Sequence, residues 1–231
     1  PKEAYIYAKG YYDDGNFRMA ITKLGEFRSR FPYSQYATEA DFLIADAHFQ
    51  MEEYAMASAE YAQLVKLHPK HPKIDFARFR IGLSYWEAAP ENIDREQEFA
   101  RKAIEAWEEF AQFHPQSALR DRARELMGQG RKRIRQAEEF VAMFYEKQEV
   151  WHACAFRYES LYAMVKDTDT PLAKTALLKS AKCLDKLADE EEEAKQDGET
   201  LRLNVYTKVY TVAQIRDYSR RLVQDASKLK P

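Results

Sequence analysis

The sequence contains few of the residues that interrupt helices, with 7 glycines and 8 prolines among 231 residues. Three prolines follow amphipathic stretches, in Phe31-Pro32, His68-Pro69 and His114-Pro115. Proline cannot continue a helix and disfavours the helical conformation of the residue before it, so these pairs predict helix ends. Between them, apolar residues recur three and four apart, which is typical of helices, and no segment has a strand pattern. The sequence therefore predicts an all-α protein.

Cysteine is also scarce, since the chain contains 2, Cys154 and Cys183. Both lie in helical patterns, and their separation fits neither a CxxC motif nor a metal site. The sequence predicts that both are buried thiols, which pack as small apolar groups. Cysteines of this kind do not indicate the compartment.

The chain lacks a strong excess of either charge and lacks a long apolar segment. Lys and Arg total 36 against 38 Asp and Glu, a formal net charge of −2, which disfavours a basic nucleic-acid-binding protein. No apolar run approaches the ~18 residues of a membrane span. Because the sequence starts at Pro1 without a hydrophobic leader, we expect a processed chain whose targeting segment has been removed.

A repeated unit is present in the first half of the chain. Residues 14–42 return in altered form 37 residues later, so that Ala20 corresponds to Ala57 and Pro32 to Pro69. The unit resembles the tetratricopeptide repeat of roughly 34 residues, with a longer linker. Its small positions, where paired helices approach each other, are predicted to be Ala8 and Ala20. Its large packing positions are predicted to be Tyr7, Tyr11, Leu24 and Phe27.

The repeat continues to the end of the chain with some changes of length. The third unit carries an insertion within residues 88–99, and the fourth pairs helices at about 117–146 and 150–165. The fifth begins near Pro171, and its second helix is predicted at about 200–228. One hairpin alone buries only part of its apolar surface, and stacking on the neighbouring hairpins buries the rest. The sequence therefore predicts a right-handed α-solenoid of about five tetratricopeptide helix hairpins.

The groove-facing positions of the first three units are rich in aromatic residues, which include Phe76. Rings in a groove give contact area at low entropic cost and suit peptides with aromatic side chains. We therefore predict a client-peptide groove in residues 1–115, which hold repeats 1–3, and a partner-binding part in residues 116–231, which hold repeats 4–5. Alternatively, the rings pack against an N-terminal extension or fill a tight superhelix. The predicted groove residues are Tyr5, Lys9, Tyr12, Phe42, Phe49, Phe79, Arg80 and Trp86.

Two basic features bear on ligand binding, namely a possible carboxylate clamp and a stripe of arginines. Proteins of this repeat class that clamp a terminal carboxylate use five Lys, Asn and Arg side chains, of which only Arg80 is present here, so a carboxylate clamp is disfavoured. An arginine stripe follows the long helix of the fourth unit and could meet carboxylates of a partner or lipid phosphates. The alternative is the solvated face of a long helix. The stripe consists of Arg120, Arg124, Arg131 and Arg135.

No group of residues predicts an enzyme, a cofactor or a metal site. His68 and His71 bracket a proline, and no neighbour supplies the further ligands that a metal needs. The GQG sequence at 128–130 follows no strand, so a nucleotide site is disfavoured. The acidic run from Asp189 to Glu199 predicts a solvated, mobile connection in the last hairpin.

Three segments together carry a resemblance to a known family. DGNFRMAITKLGEFRSRFPYSQYATEA, HPKHPKIDFARFRIGL and AEEFVAMFYEKQEVWHACAFRYESL resemble, in that order, the BamD family of outer-membrane assembly lipoproteins. The resemblance extends from about residue 4 to residue 187. The patterns HPxIDxxxxxxGL and YxxxxxWxAxxxR are not general features of the repeat.

The resemblance implies a non-enzymatic scaffold of the β-barrel assembly machinery. It implies a lipid anchor at an N-terminal cysteine, absent from this chain, on the periplasmic face of the bacterial outer membrane. It also implies that the N-terminal repeats receive the aromatic-ending C-terminal segments of unfolded outer-membrane proteins. The C-terminal repeats would hold a POTRA domain of BamA, with Arg157, six residues after Trp151, paired to a POTRA carboxylate.

Departures from the family limit what is carried over. Val165-Lys166 replaces the family's Tyr-Pro, and the tail beyond Leu187 is longer and more acidic, so contacts with other Bam lipoproteins are left open. The alternative function is another envelope adaptor of this repeat type, in cell-wall or pilus assembly, that binds a structured protein partner. A third alternative, an enzyme with an unrecognised site, would need a pocket of perturbed acids and bases.

Overall fold

Helices make up almost all of the described chain. The computed structural model describes residues 1–196, 204–205 and 208–229. The ten helices in these residues are α1 (Lys2–Asp13), α2 (Phe17–Arg30), α3 (Ala37–Gln50), α4 (Tyr54–Leu67), α5 (Ile74–Ala88), α6 (Glu98–Phe113), α7 (Arg120–Lys147), α8 (Trp151–Val165), α9 (Thr170–Gln196) and α10 (Val212–Lys228). The two strands are β1 (Asn204–Val205) and β2 (Lys208–Val209).

Consecutive helices pack on one another from α1 to α6 and from α8 to α10. Phe31, His68 and His114 follow α2, α4 and α6, and each has a φ between −131° and −127° that leaves the helical region. Each precedes a proline, as the sequence predicted. The predicted class, an all-α tetratricopeptide fold, is confirmed, and the predicted insertion is the 89–97 connection between α5 and α6.

Close contacts divide the chain into two units. Unit 1 contains Pro1–Asn92 and Glu96–Ile134, and unit 2 contains Ile93–Arg95 and Arg135–Pro231. The division falls inside α7, whereas the repeat pattern placed the domain boundary between residues 115 and 116. The reason is that the N-terminal half of α7 buries its apolar face with α6, and the C-terminal half with α8 and α9. The assignment of client and partner binding to the two parts stays a prediction.

Small residues let the helices of unit 1 approach each other. Ala8, Ala20, Ala45 and Ala57 are buried, as predicted. In the third hairpin the corresponding residue of α5 is Gly82, and the indole of Trp107 lies where a side chain would be. The indole Nε1 donates a hydrogen bond of 3.1 Å to the backbone carbonyl of Phe79. This contact needs a glycine at position 82.

Unit 2 corrects the prediction of free thiols. Cys154 of α8 and Cys183 of α9 form a disulfide, with their Cα atoms 6.0 Å apart. Both residues are buried in one apolar cluster with Tyr158, Leu161 and Leu184. The prediction of buried side chains was right, and the prediction of free thiols was wrong because the packing of α8 on α9 brings the two cysteines together.

The last hairpin differs from its prediction at its start. β1 pairs with β2 in antiparallel register, Asn204 opposite Val209, so the prediction of no strand was wrong. The last helix was predicted from about residue 200, and it begins at Val212. Thr211 has extended backbone and forms a capping box with Gln214, which fixes the helix start. The sequence NVYTKVYT at 204–211 is also rich in the β-branched and aromatic residues that strands favour.

The acidic run was predicted to be mobile, which is wrong for its first part. Residues 189–196 belong to α9, and residues 197–199 lie outside the described residues. Asp189 and Glu192 each form an ion pair with Arg216 of α10, at 3.0 and 2.8 Å. A cation between the two carboxylates offsets the repulsion between the neighbouring acidic side chains.

Tyr7 was predicted to pack in the core, but 61% of it is exposed. The equivalent residues one and two units later, Ile44 and Ile81, lie 37 residues apart and pack against the apolar cluster of the preceding hairpin. Tyr7 instead contacts the ring of Tyr11 edge-on at 5.3 Å, with a hydrogen bond of 2.8 Å between the hydroxyls.

We expect Gly82→Ala to destabilise the protein. The added Cβ would lie 2.5 Å from Nε1 of Trp107, which is a clash with a buried ring. Overpacking of this kind costs about 1–3 kcal/mol, which exceeds the gain of about 1 kcal/mol in helix propensity. Urea unfolding followed by circular dichroism measures the difference.

Gly128→Ala is the matched control. Gly128 is exposed in α7, and an added Cβ would meet no atom within 4 Å. This variant should be as stable as the original chain or more stable. Equal stability of Gly82→Ala and Gly128→Ala would contradict the close contact at Trp107.

Candidate functional site

Three of the predicted groove residues belong to the core. Tyr5, Phe42 and Phe79 follow one another at intervals of 37 residues and are only 8%, 6% and 6% exposed. Tyr5 stacks on Tyr36 at 4.9 Å, and Phe79 contacts the ring of Trp107 at 6.2 Å. The prediction that these rings are free for a ligand was wrong, because this repeat position fills the space between neighbouring helices.

A second row of rings, seven positions later in each unit, is partly exposed. Tyr12, Phe49 and Trp86 are half-buried. Trp86 is covered on one side by the guanidinium of Arg133, 3.9 Å from the ring. Phe76, at the start of α5, is 38% exposed. Of the aromatic residues at groove-facing positions, these four are the ones that stay accessible.

A charged pair lies among these rings. Nη2 of Arg80 donates a hydrogen bond to Oδ1 of Asp46, and the side chains are only 11% and 17% exposed. The guanidinium lies 3.8 Å from the ring of Phe49 and 5.4 Å from the ring of Phe76. Such placement over ring faces is the geometry of a cation–π interaction.

Two tyrosines complete the polar contacts of this pair. The Tyr12 hydroxyl donates to Oδ2 of Asp46, and the Tyr61 hydroxyl donates to Oδ1 at 3.1 Å. Nε of Arg80 donates to the Tyr61 hydroxyl at 3.1 Å. We call this group the Arg80 cluster, and its members are Tyr12, Asp46, Phe49, Tyr61, Phe76 and Arg80.

Burial shifts the pKa values of three titratable side chains in the Arg80 cluster. It raises the pKa of Tyr12 and of Tyr61 above the ordinary tyrosine value, so both hydroxyls stay neutral donors. Burial also lowers the pKa of the Arg80 guanidinium from its ordinary value. Lys9, the other predicted basic groove residue, lies outside the cluster and pairs with Asp13 on its own helix at 2.5 Å.

Sequence reasoning missed the roles of Asp46 and Tyr61. Asp46 lies four residues after Phe42 on α3, and no sequence pattern considered above indicated that it would pair with Arg80. A signal was present, because Tyr12, Asp46 and Arg80 follow one another at intervals of 34 residues. That interval is one helical turn shorter than the repeat of 37, so it joins consecutive hairpins.

The arginine stripe is engaged in contacts within the chain. In unit 1, Arg124 pairs with Asp121 at 3.1 Å and Arg131 with Glu108 at 2.8 Å. Arg120 donates to the carbonyl of Pro115 at 3.3 Å. In unit 2, Arg135 pairs with Asp169 at 3.0 Å. These contacts favour the alternative reading, a solvated and ion-paired helix face.

The two predicted partner-binding residues of α8 are also engaged within unit 2. Nη1 of Arg157 lies 3.2 Å from a carboxylate oxygen of Glu138. Nε1 of Trp151 donates to Glu190 of α9 at 2.7 Å. Exposed apolar residues occur on α7 and α8, namely Phe140, Met143, Phe144 and Phe156.

The described residues contain neither a metal-binding cluster nor a helix that could span a membrane. There, no group of three or more His, Cys, Asp or Glu side chains has the placement of a metal site. Every helix in residues 1–196 and 208–229 is too short or too polar to cross a membrane.

Comparison with known proteins gives one family. The profile of a family described as "YfiO: Outer membrane lipoprotein" matches residues 1–200. The outer membrane protein assembly factor BamD of Vibrio cholerae serotype O1 is 25% identical over 179 residues, which cover 73% of this chain and 74% of that protein. The protein of the same name from Neisseria gonorrhoeae is 27% identical over 195 residues, or 80% of this chain and 73% of that protein.

Among solved structures, the similarity is lower. The TPR2AB domain of yeast Sti1 in complex with pHSP90 has a TM-score of 0.47 and is 14% identical, covering 98% of this chain and 93% of that one. A likeness of this size supports no conclusion about this chain.

We expect the protein to lose stability at alkaline pH through its buried tyrosines. Burial, helped by the charges of Glu39 and Asp13, raises the pKa of Tyr5 to about 12. Tyrosine in an unfolded chain has a pKa of about 10, so above that pH the unfolded chain releases its proton first. The contribution of Tyr5 is fully present below pH 10 and is lost as pH rises toward 12.

Urea unfolding between pH 8 and pH 11 measures this loss. Tyr5→Phe removes the titrating group and should make the fall in the free energy of unfolding shallower. Tyr33→Phe is the control, since Tyr33 is 100% exposed, and should leave the fall unchanged. The same pH dependence in both variants would count against titration of Tyr5.

Proposed function

The chain belongs to the YfiO family of outer membrane lipoproteins, and on this premise we propose that it is an outer-membrane protein assembly factor. More specifically, we propose a non-enzymatic scaffold subunit of the β-barrel assembly machinery. It binds BamA and the targeting segments of unfolded outer-membrane proteins. The observation that carries the proposal is the family match over residues 1–200, which include all of unit 1 and much of unit 2. The relatives are named assembly factors, and this supports a binding role over a catalytic one.

The proposed location is the periplasmic face of the outer membrane, with a lipid anchor at a cysteine outside this sequence. The family description as an outer membrane lipoprotein supports it. The disulfide between Cys154 and Cys183 also supports it, because disulfides persist in oxidising compartments such as the periplasm.

The proposed client surface lies in unit 1 and is smaller than the one that the sequence predicted. Without the three buried rings, the accessible rings are Tyr12, Phe49, Phe76 and Trp86. They lie on the first helices of three successive hairpins, which suits an extended segment with more than one aromatic side chain. Phe76 is the most exposed of the four and is held beside Arg80.

The proposed BamA surface lies in unit 2, on α7 and α8. Apolar side chains at Phe140, Met143 and Phe144 recur three and four apart and share one face of α7. Arg157 of α8 lies near this helix through its contact with Glu138. A partner carboxylate would join a guanidinium that is already oriented, beside an apolar area, as is common at interface hot spots.

We expect Phe76→Ala to weaken binding of a peptide that ends in phenylalanine. Loss of an interface ring costs about 2 kcal/mol, or roughly 30-fold in Kd. Fluorescence anisotropy with a labelled peptide measures the affinity. The Phe79→Ala variant is unsuitable for this test, because Phe79 is buried and its loss would leave a cavity.

Phe99→Ala is the matched control for Phe76→Ala. Phe99 is 41% exposed, against 38% for Phe76, and it also lies beside a cation, with Lys102 at 5.6 Å. It is on α6, outside the Arg80 cluster. The proposed client surface predicts a loss of affinity for Phe76→Ala alone, and equal affinities of the two variants would argue against it.

We expect Arg157→Ala to weaken binding to the periplasmic domains of BamA. The loss of one charge-assisted contact should cost about tenfold or more in Kd. Surface plasmon resonance with the purified BamA domains measures it. Arg124→Ala is the control, because Arg124 is also an exposed, ion-paired arginine but lies in unit 1. An unchanged affinity of Arg157→Ala would remove this residue from the proposed interface.

A further inference from the structure

We propose that Asp46 determines the specificity of the client surface by occupying Arg80. The surface then selects clients by their aromatic side chains and does not recognise a C-terminal carboxylate. This inference rests on the proposed binding of client segments in unit 1. Asp46 acts through Arg80, so it is a positioning residue.

The first step is that Arg80 has little freedom to bind anything else. One of its nitrogens donates to Asp46 and another to the Tyr61 hydroxyl at 3.1 Å. Its flat face lies 3.8 Å from the ring of Phe49. Its side chain is only 11% exposed, so a ligand carboxylate would have to move the guanidinium to reach it.

The second step is that Asp46 is a well-satisfied acceptor. Both carboxylate oxygens receive hydrogen bonds, from Tyr12 on one side and from Tyr61 and Arg80 on the other. A further weak contact comes from Nε2 of Gln50 at 3.4 Å. A ligand that took Arg80 would leave this carboxylate buried without its cation, which is strongly unfavourable.

The third step is that the same arginine without Asp46 would attract a carboxylate. A guanidinium surrounded by rings is poorly hydrated, and it matches a carboxylate with two parallel hydrogen bonds. Lys9 offers no substitute, since its side chain is 40% exposed and its ammonium is strongly hydrated. Asp46 therefore balances the charge of Arg80. The guanidinium then no longer binds a ligand carboxylate and instead forms part of the ring-lined surface.

The test compares two peptides that end in phenylalanine and differ only in a free or an amidated C-terminus. Fluorescence anisotropy gives the Kd of each with the unaltered chain and with Asp46→Asn. Asparagine keeps the shape of the side chain and an acceptor for the tyrosines while removing the charge. We expect the unaltered chain to bind both peptides within about threefold, because a difference of that size is small beside one charge-assisted hydrogen bond.

We expect Asp46→Asn to prefer the free acid by about tenfold or more, and Asp46→Asn combined with Arg80→Gln to lose that preference. Asp13→Asn, which removes the exposed partner of Lys9, is the control and should leave the ratio near that of the unaltered chain. The ratio of the two affinities is the informative quantity, since a merely structural role of Asp46 would weaken both peptides alike.

Each contrary outcome has a distinct meaning. Binding of the free acid about tenfold or more tighter by the unaltered chain would overturn the inference and leave the client surface standing. An unchanged ratio in folded Asp46→Asn would also overturn it. If neither peptide binds the unaltered chain, the client surface itself is wrong, and the inference falls with it. The first measurement needs no variant, so a variant that fails to fold does not prevent the test.

Discussion

The close approach of paired helices at small residues is the constraint on which the structure of unit 1 depends. Ala8 with Ala20 and Ala45 with Ala57 leave no room for larger side chains, and at Gly82 the neighbour is an indole ring. Because the helices are this close, the large residue three positions before each small residue of the first helix has to fill the space between neighbouring hairpins. That is why one row of rings is buried and the row seven positions later is left partly accessible. The candidate site is thus a consequence of packing.

The parts of the fold that the sequence could predict are those that depend on local chemistry. Proline fixes the ends of α2, α4 and α6, and the interval of 37 residues identifies the small positions. The buried state of Tyr5, Phe42 and Phe79 could not be predicted, since it depends on the angle between neighbouring hairpins. The pairing of Cys154 with Cys183 had the same difficulty, because it needs the rotation of α8 against α9.

The candidate site was predicted only in its residue types. Seven aromatic groove positions indicated a ring-lined surface, and the structure leaves four of them accessible. Arg80 was identified as the one residue that matches a carboxylate clamp. The structure gives a reason that this arginine alone does not form such a clamp. Its charge is balanced by Asp46, through a contact between residues 34 apart, whereas the sequence-based prediction relied on the interval of 37 residues.

A similar polar arrangement in unit 2 shows what is particular to the Arg80 cluster. Glu146 accepts hydrogen bonds from Tyr158 at 2.7 Å and from Lys179 at 3.0 Å. Burial opposes its ionisation, but these two hydrogen bonds and the charges of Lys179 and Lys182 together lower the pKa of Glu146. Both units thus join helices through a carboxylate, a tyrosine and a cation. The difference lies in the cation and its ring, because the flat guanidinium of Arg80 lies 3.8 Å from the ring of Phe49, whereas the ammonium of Lys179 lies 5.1 Å from the ring of Tyr158. Phe49 is partly accessible and Tyr158 is buried, so the Arg80 cluster joins the hairpins and also supports an accessible ring surface.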